Sequence, residues 1–96
     1  TYTEAQWQNQ IIWAAKDAGW ELIYHTWNAR HSTAGFPDLI LVRDGRMLAI
    51  EVKKQDPKSK VTPAQAQWIK ALDEVDGVTA FVARPSDWDR VTEALE

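Results

Sequence analysis

The sequence contains no cysteine, so disulfides and thiolate metal sites are excluded. No apolar run approaches the roughly 18 residues of a membrane-spanning helix, and no signal-peptide pattern is visible. An intracellular, cytoplasmic protein without membrane attachment is the expectation. Internal repeats, low-complexity tracts and linkers are also absent, and 96 residues suit a single domain, 1–96. A domain this small has little stability to spare, which six tryptophans partly offset through the apolar area that each ring removes from water. Positive charge is scarce too: the net charge is -3, which argues against a phosphate-rich partner. The deficit is local, however. From Asp73 onward there are seven acidic residues and two basic ones, whereas residues 1–72 hold seven acidic and nine basic.

What is present centres on Gly35 to Lys53. Gly-Phe-Pro-Asp leads into an apolar run, Asp44-Gly45 makes a turn, and a second apolar run ends in Glu51-Val52-Lys53. Asp44-Gly45 is a strong hairpin signal, and so short a link imposes antiparallel pairing on strands Leu39 to Arg43 and Met47 to Lys53. Side chains alternate along a strand, so Glu51 and Lys53 share one face. Asp38 opens the first strand and so lies opposite the far end of the second, near Glu51.

The chain supports this hairpin on both sides. Thr3-x-x-Gln6 fits a capping box that starts a helix, with Trp7, Ile11, Ala14, Ala15 and Ala18 on one stripe and Gly19 as its stop. Residues 20–27 suit a strand and 28–36 a basic loop. After a polar loop at 55–61, Thr62 caps a second helix with Pro63 first and Gln65 third. Its buried stripe is expected to be Trp68, Ile69, Leu72 and Val75, with Gly77 ending it. Val78 to Ala83 reads as a strand. Arg84-Pro85 breaks it, and Ser86 opens a last helix with Trp88, Val91 and Leu95 inward. The order is α-β-β-β-α-β-α, an α/β fold with a mixed sheet flanked by helices. Trp7, Trp13, Trp68 and Trp88 are expected in the core.

The chemistry follows from the acids. Two charges on an otherwise apolar strand need partners or a metal. Hard divalent cations such as Mg²⁺ or Mn²⁺ want oxygen ligands and keep several waters. Asp38, Glu51 and the backbone carbonyl of Val52 would supply three, leaving positions for water and phosphate. Lys53 then either positions the attacking water or stabilises developing charge. The plainer reading makes Asp38 a turn cap and Glu51 and Lys53 a solvated strand face.

Gly-Phe-Pro-Asp-Leu-Ile-Leu-Val-Arg, then Ile-Glu-Val-Lys, then Thr-Pro-Ala-Gln-x-x-Trp resembles the VRR-NUC domain of the PD-(D/E)xK nuclease superfamily, above all its small stand-alone bacteriophage versions. The resemblance covers nearly the whole chain. It implies a restriction-endonuclease-like core and a Mg²⁺- or Mn²⁺-dependent endonuclease, often a homodimer, acting on branched DNA such as four-way (Holliday) junctions or flaps. It matches Asp38 and Glu51 to the metal-binding acids, Lys53 to the catalytic lysine, Gln65 to the glutamine of the following helix, and Glu4 to the acid of the first helix.

Each supporting residue has a plainer role beside the functional one. Glu4 either completes the metal shell or is a first-turn acid favoured by the helix dipole. Gln65 either orients water or Lys53, or only partners Thr62. Arg30, His31 and Ser32, with Lys54, Lys58 and Lys60, are candidate DNA-backbone contacts or merely solvated loops. His25 either approaches the metal or is a strand histidine satisfied by a neighbour. Trp27 is a candidate for stacking on an unpaired base. The rival to an enzyme is a non-catalytic DNA-binding or assembly module that retains the fold.

Overall fold

A computed structural model describes residues 2–26 and 33–96. Helix α1 (Glu4–Asp17) starts at a capping box in which Thr3 and Gln6 each accept the other's backbone amide. Strands β1 (Leu22–His25), β2 (Leu39–Arg43) and β3 (Arg46–Val52) follow. Then come α2 (Pro63–Asp73), β4 (Val78–Ala83), a 3₁₀ turn at Pro85–Asp87 and α3 (Trp88–Leu95). The first strand is thus shorter than residues 20–27, and Trp20 leaves it for the core. The second helix stops at Asp73, before Gly77, and the 3₁₀ turn precedes the last helix.

The sheet order is β1-β2-β3-β4, with β3 and β4 parallel and the other pairs antiparallel. The hairpin between β2 and β3 turns through Asp44 and Gly45 at φ 51° and 76°, the pair of left-handed residues that a tight two-residue turn requires. No helix among the described residues is long and apolar enough to cross a membrane.

Alternation divides the sheet into two unequal faces. Leu39, Leu41, Leu48, Ile50 and Val52 form one core with Trp7, Ile11 and Ala15 of α1 and Val91 and Leu95 of α3. Trp20 closes its lower end, donating from Nε1 to the Leu95 carbonyl at 3.0 Å, with the Arg43 guanidinium 4.3 Å over its ring. The opposite face, where Ala49 and Ala80 are buried, receives α2. Among the described residues no second layer covers the outer side of α2: Trp68, Ile69 and Leu72 are half-buried, and Val75, past its end, is exposed. Two further expectations fail. Ala18 is exposed, and Trp13 stands in solvent rather than in the core.

Candidate active site

Leu39 pairs with Ile50, so the continued register sets Asp38 opposite Glu51 and Pro37 opposite Val52. Asp38 does not merely approach the partner strand. Its Oδ2 accepts the Val52 amide at 2.8 Å, in place of the next rung of the ladder. In an extended strand a residue's N–H and C=O leave on the same edge, so the Val52 carbonyl also faces Asp38. Proline has no hydrogen to donate. Pro37 therefore leaves that carbonyl unclaimed by the hairpin, beside the two acids.

Glu51 and Lys53 are almost enclosed, at 3% and 9% exposure, and Lys53 Nζ lies 3.7 Å from Glu51 Oε2. A buried ion pair rarely stabilises a fold, because removing both charges from water outweighs their attraction unless the geometry is excellent. Here the balance is visible. Burial first, then the charge and hydrogen bond of Asp38, push the Glu51 carboxyl from 4.5 up to about 8, with a further rise from Glu4. Lys53 pulls downward and is outweighed. A carboxylate held in this state is characteristic of functional sites.

Glu4 sits exposed in the first turn of α1, near enough to be felt at Glu51. Among the described residues, however, no three His, Cys, Asp or Glu side chains converge as a ready metal-ligand group. The oxygens that could hold a cation here are those of the Asp38–Glu51 pair, with the Val52 carbonyl beside them. Its chemistry fits a hard divalent cation: all donors are oxygen, and a bound cation would favour the ionised form of Glu51 that burial and Asp38 otherwise disfavour.

Gln65 is half-buried, and its side-chain carbonyl accepts the Thr62 amide at 2.9 Å, the capping role. Its position is tied to the acids by Gly35. A Cβ on Gly35 would meet the Ala64 carbonyl carbon at 2.5 Å and the Gln65 nitrogen at 2.7 Å. The Phe36 ring meets Trp68 edge-on at 5.2 Å. The Gly-Phe lead-in thus locks α2 against the segment that delivers Asp38.

Lys54, Lys58 and Lys60 lie exposed on the loop after β3, and Lys54 stands 4.0 Å from Asp56. His25 is part-buried, with its Nε2 2.7 Å from the Gln8 side-chain amide, so a protein neighbour engages it. Arg30, His31, Ser32 and Trp27 lie outside the described residues. Sequence reading missed Arg84, taken only as punctuation before Pro85. Its guanidinium donates to the carbonyls of Lys54, Asp56 and Ser59 and so pins the loop that continues from Lys53. An arginine beside a strand-ending proline gives no sign of this in one dimension.

A mixed four-stranded sheet between helices, with an acid pair and a lysine where its antiparallel and parallel halves meet, defines a nuclease-fold domain. Residues 3–87 match the VRR-NUC domain family, and the chain belongs to it. A solved structure described as a "VRR_NUC domain protein" aligns at TM-score 0.71 and 30% identity, over 99% of this chain and 86% of that one. No curated protein matches the sequence.

Proposed function

We propose that this domain is a divalent-metal-dependent endonuclease that hydrolyses DNA phosphodiester bonds and selects branched substrates, four-way junctions or flaps, as a homodimer. The observation that carries the reading is the cluster of enclosed Glu51 and Lys53 with half-buried Asp38 in a VRR-NUC fold. Asp38, Glu51 and the Val52 carbonyl are the residues that would hold Mg²⁺ or Mn²⁺, with Glu4 reaching it through water. When bound, such an ion lowers the pKa of water and offsets charge on the pentavalent phosphorus. Lys53 stands at the buried end of the site, where it holds water or meets charge developing on phosphate oxygen. Asp38 keeps the hairpin end in register through the Val52 amide. Gln65 orients the water or Lys53 from the first turn of α2, and Lys54, Lys58 and Lys60 contact the DNA backbone. A homodimer supplies two sites for paired cuts.

The test is a panel of labelled duplex, flap and four-way-junction DNA, each with Mg²⁺, Mn²⁺ or EDTA. Metal-dependent cutting of the branched substrates is expected from wild type and not from Asp38→Ala or Lys53→Ala. Absence of cutting, together with no metal-dependent heat in calorimetry, would leave the binding module as the reading.

A further inference from the structure

Six large apolar side chains are exposed among the described residues, and four of them, Trp13, Leu22, Tyr24 and Val42, gather on the β1 side of the molecule. The register pairs Leu22 with Val42, Tyr24 with Ile40 and Ile40 with Ala49, so Leu22, Tyr24 and Val42 share the sheet face that holds the acids. On that face α2 packs chiefly on β4 and β3, and these three stay in solvent. On the other face Trp13, 71% exposed, lines the cleft between α1 and β1 with Ile12 and Ile23. Apolar surface thus borders the margin of the sheet on both sides, the kind of concentration that marks a protein contact.

The margin itself is open. β1 ends the strand order, and among the described residues no strand lies beyond it. Thr26 donates its amide to the Asp38 carbonyl at 2.9 Å, so the pairs in step with it, Tyr24–Ile40 and Leu22–Val42, are the bonded ones. The amide and carbonyl of Ile23, between them, therefore point outward. Edge strands are commonly blunted by proline or lysine, and Leu-Ile-Tyr-His contains neither.

We propose that β1 is the seam of the homodimer, pairing antiparallel with β1 of a second copy about a two-fold axis at Ile23. This rests on the homodimer of the proposed function and names its surface. A two-fold contact must be complementary to itself, and this register is. Leu22 comes opposite the partner's Tyr24 on the face of the acids, ring against aliphatic chain. Glu21 comes opposite the partner's His25 on the other face, acid against imidazole. An axis at Tyr24 would instead set that ring against itself and lose the match at Glu21. Both copies of α1 fall on one side of the joined sheet, with each Trp13 beside the seam as an aromatic anchor. Two four-stranded sheets become one of eight, and both acid clusters lie on the same side of it. With strands about 4.8 Å apart and a rise of about 3.3 Å per residue, the two Asp38 positions stand about 25 Å apart. One branched substrate laid on that side would meet both.

The experiment is sedimentation of the metal-free, DNA-free protein over a dilution series, with amide hydrogen exchange at Ile23. Wild type, Leu22→Lys, Tyr24→Lys, Trp13→Ala, Val75→Lys and Asp38→Ala are compared, and far-ultraviolet dichroism checks that each is folded. Wild type should dimerise. Leu22→Lys and Tyr24→Lys should each weaken the dimer at least about tenfold, because symmetry introduces every change twice and sets an ammonium against an apolar side chain. Trp13→Ala should weaken it at least about fivefold, the lower bound for an aromatic anchor. Val75→Lys, equally exposed but on the far side of α2, and Asp38→Ala should dimerise as wild type does. The Ile23 amide should exchange at least about tenfold more slowly in wild type than in Tyr24→Lys at the same concentration, which a contact through side chains alone would not produce. The proposal is overturned if wild type is a monomer, if the two lysine variants on β1 dimerise as wild type does, if Val75→Lys breaks the dimer, or if the Ile23 amide exchanges alike in both proteins. A wild type that dimerises through β1 but cuts no DNA would sink the nuclease reading and leave the seam standing. Metal-dependent cutting by a monomer would do the reverse.

Discussion

Trp7 and Lys53 donate to one oxygen, the Ala83 carbonyl, the indole Nε1 at 2.9 Å and the backbone amide at 3.0 Å. A helix, the end of β3 and the end of β4 are thereby joined at a single point directly beneath the acid pair. Trp7→Phe removes the donor and part of the buried ring, while the Lys53 amide still satisfies the carbonyl. The cost should exceed about 1 kcal/mol, the usual net value of such a bond, because the smaller ring also leaves a void. Thermal denaturation should show a fall of at least about 4–8 °C, the scale of 1 kcal/mol for a domain of this size. Trp7→Ala should cost about 3–5 kcal/mol through the lost core volume.

Asp38 serves structure and chemistry through different atoms, and two variants separate them. Asp38→Asn keeps an oxygen for the Val52 amide and removes the charge facing Glu51. Metal-free stability should hold or rise, and the Glu51 carboxyl should titrate lower. Asp38→Ala orphans the amide and should cost about 1–3 kcal/mol. Both should lose metal-dependent heat in calorimetry. Equal stability of the two variants would mean that the 2.8 Å bond contributes nothing.

Acid stability should run opposite to the usual case. The folded-state value of Glu51, about 8, lies above its ordinary 4.5, so folding takes up a proton that unfolding releases. This contribution is complete below pH 4.5 and disappears as the pH climbs to about 8. Urea midpoints in EDTA should therefore fall across that window. Saturating Mn²⁺ should restore them at its upper end, and Glu51→Gln should flatten the profile.

Two glycines give a matched comparison. Gly45 has open space around it, so Gly45→Ala meets only the left-handed backbone, about 1 kcal/mol. Gly35 has the same sign of φ and also meets α2 backbone at 2.5 Å. Gly35→Ala should destabilise by clearly more than that, and should reduce cleavage further by shifting α2 from the acids. Chemical denaturation and the junction assay check both.

Arg84→Met should release the loop after Lys53. Trypsin should then cut at Lys54, Lys58 or Lys60 several times faster, while far-ultraviolet dichroism stays unchanged. Unaltered digestion would mean that the loop is held by the Gln55 side chain, which accepts the Ser86 amide, instead.

The hairpin, both capping boxes and the strand at residues 78–83 were legible in the sequence because each is written locally, in Asp44-Gly45, Thr3-x-x-Gln6, Thr62-x-x-Gln65 and an unbroken apolar run. The facing of Asp38 and Glu51 followed from period-two alternation plus the turn. Trp13 was misread because size and apolarity were weighed over phase: it stands two residues past Ile11, about 200° around the helix. The half-burial of α2 was not legible, since its apolar stripe is real but no second layer lies above it among the described residues. Arg84 acts across 25 to 30 residues on backbone carbonyls, and such partners leave no trace in side-chain spacing.

The proline before the first acid gains a meaning from its place in the register. A residue with an amide hydrogen at position 37 would let the hairpin zip one rung further and cap the Val52 oxygen. The imino acid works as a stop on that zipper, keeping a carbonyl of the main chain on offer where an ordinary pair of strands would have spent it on each other.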